Sequence, residues 1–210
     1  MPEIRTTDAD EAAALQAAGA RLVRHSHDLV FELASVSPGL DWARPALPGG
    51  FRLVGITEAG PRLAVASFMA YAPGHPDAPG SLLEAERRAW ELLAGESGGP
   101  VLEPLSAAIM DTSTNTVAGA VVVTWQGAAP WGWGGGPWVA DIFVVPAQQG
   151  RGLGRALLLG AIAWSHAAGE LRIGLTVTDG NPAERLYVGV GFQRRRTLFV
   201  LKTTERPAPR

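Results

Sequence analysis

The chain has 210 residues, 47% of them hydrophobic and 18% charged. That is enough apolar material for one folded domain with an accessory segment, and it excludes wholesale disorder. Eighteen basic against 20 acidic residues leave a net charge of −2, which excludes the electrostatic footprint of a nucleic-acid binder. Without cysteine there is no disulfide framework, thiolate metal site or cysteine nucleophile. No apolar run reaches the ~20 residues of a membrane helix, and the acidic start MPEIRTTDADE lacks the basic and apolar regions of a signal peptide. The expectation is a cytoplasmic protein with no membrane or nucleic-acid partner. Lys202, the only lysine, lies in a polar tail, so lysine-based catalysis is set aside.

In chain order, Asp8 to Ala34 reads as helix. Asp8 with Glu11 resembles a capping box, and Leu15, Leu22, Leu29 and Leu33 recur near one face. Ser37 to Gly50 carries three prolines and reads as a connector. The organisation expected is a helical extension and linker over 1–48, a main domain over 49–204 and a disordered tail over 205–210. In the main domain, Phe51–Thr57 reads as a strand and Pro61–Tyr71 as a helix. A second helix opens at the Ser81–Glu84 capping box, with Leu83, Trp90 and Leu93 on its buried face and Gly95 just past its end. Ser106–Asp111, Val117–Trp125 and Trp138–Val145 read as strands. Ala156–Ala168 is an almost wholly apolar helix, and Leu171–Thr178 a further strand. Asn181-Pro182-Ala183-Glu184 has the N-cap, N1 and N3 residues of a helix start. Gly191 stops that helix, and Phe192–Lys202 supplies one or two final strands.

The segment Gln149-Gly150-Arg151-Gly152-Leu153-Gly154-Arg155 joins a strand to a helix. Glycines there admit close approach of a ligand to the backbone, and free N–H groups with the helix dipole favour an anion. Arg151 and Arg155 sit near the positive end of the helix, a conflict that a bound phosphate resolves. The plain alternative is a tight turn with solvated arginines. A dinucleotide fingerprint fails, because its third glycine would fall on Leu157 or Arg155, and no Gly-Lys-Ser/Thr of a Walker A loop exists here.

The run VVPAQQGRGLGRALL resembles motif A of the GNAT N-acetyltransferase superfamily, carried by Gln149, Gly152 and Gly154, and LTVTDGNPAERLYVGVGF resembles its motif B. The two blocks stand in the family's order, and the elements from Phe51 onward match the order of the family's fold. The segment before Pro48 lies outside it. The resemblance implies an α/β fold: a mixed, mostly antiparallel sheet, splayed between its fourth and fifth strands and flanked by helices, here with the N-terminal helical extension. It implies acetyl-CoA as cosubstrate, with no metal. Gln149, Gly150, Arg151, Gly152, Leu153, Gly154 and Arg155 would cradle the pyrophosphate. The backbone of Ile142, Phe143 and Val144 would pair with the pantetheine arm, and Asn181 would face it. Tyr187 matches the family's general acid, which protonates the departing thiolate.

For the general base, Asp141 interrupts an apolar strand beside the implied thioester site, although a surface or salt-bridged carboxylate fits as well. Asp111, Glu103 and His75 are weaker choices, and a water chain without a dedicated base is another. His25, His27 and His166 show no metal-ligand spacing with acidic partners and read as structural or solvent-facing. Trp125, Trp131, Trp133 and Trp138 cluster in a glycine-rich stretch. They read either as a packing cluster or, through Trp131, Trp133 and Trp138, as an acceptor pocket. The activity expected is acetyl transfer to a primary amine, on a small molecule rather than a protein. A longer acyl-CoA and a non-catalytic CoA sensor are the alternatives. The leader helix offers an interface for a homodimer.

Overall fold

The computed structural model describes residues 2–35, 39–71, 75 and 77–203; the tail expected over 205–210 lies outside them. The chain divides into two compact units, one of residues 31–175 and one of residues 1–30 with 176–210. The two boundaries, at residues 30/31 and 175/176, each fall inside a strand, Arg21–Glu32 and Arg172–Thr178.

In the larger unit, β3 (Phe51–Gly55), β4 (Ala107–Asp111), β5 (Thr116–Gln126) and β6 (Gly136–Val144) pair in sequence as antiparallel neighbours. The helix α6 (Leu153–Ala167) then carries the chain to β7 (Arg172–Thr178), which pairs with β6 in parallel. A parallel partner requires such a crossover. The apolar run expected to be a helix serves this purpose, with Leu157, Leu158 and Ile162 fully buried. A short helix α2 (Leu40–Ala43) meets it, Trp164 Nε1 donating to the Ala43 carbonyl at 3.1 Å. The helices α3 (Ile56–Ala59), α4 (Arg62–Ala70) and α5 (Leu82–Leu93) fill the stretch between β3 and β4. Ile56, Ala59, Leu63 and Ala66 pack with Val54, Met110, Ala120, Val122 and Phe143 in one core cluster.

Two expectations fail within α5 and the N-terminal segment. Leu83 and Trp90 are 76% and 65% exposed, so they do not form the buried face of α5; Ala85 is its buried residue. Asp8–Ala34 is not one helix. Asp8 does cap a helix, accepting from Asp10 N and Glu11 N, but that helix, α1 (Ala9–Ala17), is short. Gly19 at φ +93° turns the chain, and Arg21–Glu32 is a 12-residue strand, β2.

In the smaller unit, β8 (Gln193–Lys202) lies between β1 (Glu3–Thr6) and β2, antiparallel to both. Phe192–Lys202 thus supplies one strand. The helix α7 (Glu184–Val190) precedes it. Asp28, 4% exposed, accepts from Arg196 Nε at 2.9 Å and from Thr176 Oγ1 at 2.8 Å, so the buried carboxylate is both paired and hydrogen-bonded. The expected mixed, mostly antiparallel sheet flanked by helices is present. Among the described residues no helix is long and apolar enough to cross a membrane.

The expected splay lies between β6 and β7. Their register holds only Trp138↔Gly174 and Val139↔Leu175, so Ala140–Val144 continue past the last paired residue. Gly174 makes this contact sterically feasible, because a Cβ there would lie 2.3 Å from Trp138 Cζ3. Gly174→Ala is therefore expected to destabilise the protein by about 1–3 kcal/mol, as overpacking does. Urea denaturation checks this. In a Trp138→Leu background the same change should cost much less.

Candidate active site

Within the larger unit the sequence-named residues gather along β6 and the turn that follows it. Opposite β5, Val122 faces Asp141 while Val123 faces Val139, a register shift that leaves Ala140 as an extra residue in β6. A bulge bends a strand and re-aims the adjoining side chains, and here the adjoining side chain is Asp141. Tyr71, at the end of α4, donates its hydroxyl to Asp141 Oδ1 at 2.8 Å. Tyr71 also lies against His75, the ring centroids 5.1 Å apart. The imidazole Nδ1 of His75 accepts from Asp77 N at 3.1 Å.

Burial pushes the Asp141 carboxyl up to about 6. The Tyr71 hydroxyl pulls the other way, Asp77 adds a repulsion that raises it further, and Ile142 N and the Ser67 hydroxyl lower it by smaller amounts. Asp141 is half-buried and hydrogen-bonded by Tyr71. Tyr71, Ser67 and Asp77 carry no signal in the sequence that ties them to it. Of the weaker base candidates, Asp111 is the last residue of β4, at the start of a turn. The Ser113 hydroxyl at 2.6 Å and the Ser113 amide at 2.9 Å hold its carboxyl below the usual range. Glu103 lines a cavity of about 350 Å³ with Ile56, Ala64, Trp90 and Leu93, and Asp141 is not among that cavity's lining residues.

The glycine turn enters α6 as expected. Gly150 and Gly152 have φ of +76° and +79°, a left-handed conformation that favours glycine. Gly152 is the N-cap of α6 and supplies no side-chain cap. The first-turn N–H groups, from Leu153, Gly154 and Arg155, therefore have no side chain of the cap residue to donate to. Gln149 folds its side chain back, Nε2 donating to the Val144 carbonyl at 3.0 Å, and so clamps the turn to β6. Arg151 donates to Gln148 Oε1 at 2.9 Å, and its guanidinium lies 5.3 Å from the Phe51 ring centroid. Arg155 is exposed. The residues Ile142, Phe143 and Val144 pair with Val121, Ala120 and Gly119 of β5 and lie beyond the register shared with β7.

Trp131, Trp133 and Trp138 form a cluster, whereas Trp125, 42% exposed, is not among its ring contacts. Trp133 and Trp138 meet edge to face at 5.0 Å, and Trp131 stacks on Trp133 at 6.1 Å. Trp133 and Trp138 are 2% and 8% exposed, as a packing cluster requires, whereas Trp131 is only half-buried.

In the smaller unit, Asn181 Oδ1 accepts from Ala183 N at 2.9 Å and so caps the turn that runs into α7. Tyr187 is buried, its ring 6.3 Å from that of Phe192. His166 is exposed in the last turn of α6, as read. His25 and His27, read as structural or solvent-facing, both meet an acidic partner, Asp179, 152 residues beyond His27 in the chain. Sequence spacing could not disclose that pairing.

The profile of the acetyltransferase (GNAT) family matches residues 70–192, more than half of the chain, and the chain belongs to that family. Among solved structures it is similar to a GCN5-related N-acetyltransferase from Sphaerobacter thermophilus. The TM-score is 0.65 at 18% identity, covering 99% of this chain and 60% of that one. It is also similar to a tandem GNAT protein from the clavulanic acid biosynthesis pathway, with TM-score 0.65 at 16% identity, covering 96% of this chain and 60% of that one. At these identities the likeness is one of fold, and the chain spans about three fifths of the length of each. No protein of curated function matches it.

An ionised Asp141 costs the folded state free energy. Between the ordinary carboxylate value of 3.8 and about 6 the native protein holds a proton that the unfolded chain has released, so stability falls as pH rises through that window. The penalty at neutral pH is on the order of 1–3 kcal/mol. Asp141→Asn is expected to raise the melting temperature at pH 8 and to leave it nearly unchanged at pH 4, as calorimetry at the two pH values would record.

Proposed function

We propose that this chain transfers an acetyl group from acetyl-CoA to a primary amine of a small molecule, with Asp141 as general base. The observation that carries the reading is the Asp141 carboxyl itself: on a bulged strand, held by Tyr71 at 2.8 Å and raised to about 6. A base near that value is ionised at neutral pH yet still accepts a proton readily. In the proposed reaction the amine nitrogen attacks the thioester carbonyl and gives its proton to Asp141. The C–N bond forms, and as the tetrahedral intermediate collapses the C–S bond breaks. Tyr187, matched to the family's acid by motif B, protonates the departing thiolate.

The turn from Gln149 to Arg155 is proposed to receive the pyrophosphate. The unsupplied N–H groups of α6, the left-handed glycines and the exposed Arg155 support this. Arg151, already engaged by Gln148 and Phe51, is proposed to hold the turn's shape as much as to meet the anion. The main chain of Ile142, Phe143 and Val144 is proposed to pair with the pantetheine arm, and Asn181 to contribute through the amide nitrogen its cap does not use. On the acceptor side, Trp131 is the proposed ring contact, since Trp133 and Trp138 keep little surface for a ligand. A longer acyl-CoA as donor and a non-catalytic CoA sensor remain the competing readings.

Release of free CoA thiol against a panel of amines tests the activity, and the chain's lack of cysteine leaves no protein thiol background. With the best acceptor, kcat/KM is expected to rise from acid pH with an apparent pKa near 6 and then level. Asp141→Asn should lose that limb and about 10²–10⁴-fold in rate. An unchanged profile in the variant removes Asp141 from the chemistry. Tyr187→Phe is expected to lower kcat by about 10²–10⁴-fold with acetyl-CoA affinity unchanged by calorimetric titration. Turnover within a few-fold of the parent would make Tyr187 a packing residue.

A further inference from the structure

A second constellation of ionisable side chains lies in the smaller unit, and the proposed acyl transfer makes no use of it. Between bulges at Leu22/Arg24 and Asp28/Leu29, β2 pairs regularly with β8, His25 opposite Phe199 and His27 opposite Thr197. Residues two apart on a strand share a face, so both imidazoles stand on one side of β2. The turn after β7 brings Asp179 to them and is pinned there, the Asp179 amide donating to the His25 carbonyl at 2.9 Å. The carboxylate spans the two rings: His27 Nε2 is 2.9 Å from Oδ1 and His25 Nδ1 is 3.2 Å from Oδ2.

Each ring is also fixed from behind. The far nitrogen of His27, Nδ1, lies 3.0 Å from Thr197 Oγ1, and His27 is 2% exposed. The His25 ring stacks on Phe199 at 4.4 Å and 14°. Its Nε2 is buried without a partner, so the ring's polar contacts are concentrated on Nδ1, toward Asp179. Asp179 is held below the usual carboxylate range, chiefly by the His27 hydrogen bond, with smaller contributions from His25 and Arg194. Arg194 is itself paired with Glu184 at 2.5 Å.

We propose that His25, His27 and Asp179 form a binding site for one divalent transition-metal ion, with Zn²⁺ as the representative species. One ligand atom from each residue lies within 4.8 Å of the others, a span that ligands about 2.0–2.2 Å from a common ion can meet with small adjustments. Two imidazoles and one carboxylate select zinc and its first-row neighbours over calcium or magnesium, which take oxygen ligands. Thr197 Oγ1 on the back nitrogen of His27 is the outer-shell contact that sets tautomer and ring orientation in such sites. Three protein ligands leave a coordination position for water. Binding would fasten the turn that opens α7, two residues before Asn181, to the strand β2. The proposal is independent of the acyl-transfer reading.

The test is calorimetric titration of the tag-free, chelator-stripped full chain with ZnCl₂, with thermal melting in parallel. One equivalent is expected to bind saturably and to raise the melting temperature. Asp179→Asn, a half-exposed position, and His25→Gln should each weaken binding at least ~10-fold and lose the thermal shift. Thr197→Val should weaken it by about 10–100-fold through ring orientation alone. Co²⁺ in place of zinc should show visible d–d bands that Asp179→Asn abolishes. Absence of saturable binding would overturn the proposal and leave a His–Asp–His hydrogen-bond triad. Equal affinity in the folded Asp179→Asn and His25→Gln variants would overturn it as well, since the ion would then sit elsewhere, as at His75 and Asp77.

Discussion

The larger unit turns on how little of β6 is paired with β7. Trp138 with Gly174 and Val139 with Leu175 are the whole of their shared register. A parallel strand next to β6 would ordinarily satisfy its main-chain groups along its length. Here the indole of Trp138 lies over the missing side chain of Gly174 at the start of the strand. One position later than Val139, the bulge at Ala140 shifts the alternation. The residues after it, Asp141 to Val144, are thus held on one side by β5 and continue beyond the pairing on the other. The glycine turn then clamps back onto the last of them through Gln149 and the Val144 carbonyl. Strand divergence, the proposed base and the proposed anion-binding turn are consecutive features of 18 residues, 138–155.

How much of this the sequence discloses depends on how local the cause is. The turn was legible because its glycines answer a local demand: Gly150 and Gly152 are left-handed whatever lies around them. The same holds for the crossover α6, whose continuous apolar run is buried as its length and composition require. The helix expected over Asp8–Ala34 failed for the opposite reason. Leu15, Leu22 and Leu29 are seven apart, which mimics a helical face, yet Leu22 and Leu29 belong to β2 and are set by pairing with β8, some 170 residues away in the chain. Periodicity alone predicts Leu83 and Trp90 to lie inside. The pattern identifies the helix α5 but not what covers it, and both residues are exposed.

The site residues that escaped notice share a second cause. Tyr71 reaches Asp141 across 70 positions, and Asp179 reaches His27 across 152. Neither pairing has a spacing rule, because the partners lie on different elements brought together by the fold. In the sequence Asp141 stands out as a charge in an apolar strand beside the implied thioester site. The tryptophan cluster was legible as a cluster, while the division into buried Trp133 and Trp138 and half-buried Trp131 follows from the ring packing and from the gap that Gly174 leaves.

Three carboxylates of the chain show how neighbours, more than residue type, set the chemistry available. Asp111 receives donors from the backbone and hydroxyl of its own turn and is held ionised. Asp179 is held below the usual carboxylate range, chiefly by the His27 hydrogen bond, and lies between two ring nitrogens. Asp141 receives a phenol, a backbone amide and a serine hydroxyl, but the charged neighbour that acts on it is another carboxylate, Asp77. In a chain with 18 basic residues, none stands among the principal influences on Asp141. A cation beside it would stabilise the fold and lower the carboxyl well below neutrality, where it would accept a proton poorly. Hydroxyl donors orient the group while neutralising nothing, so burial prevails and the carboxyl stays near 6. The instability that Asp141 imposes and the basicity proposed for it therefore have one origin, and any substitution that relieved the first by supplying a positive charge would remove the second.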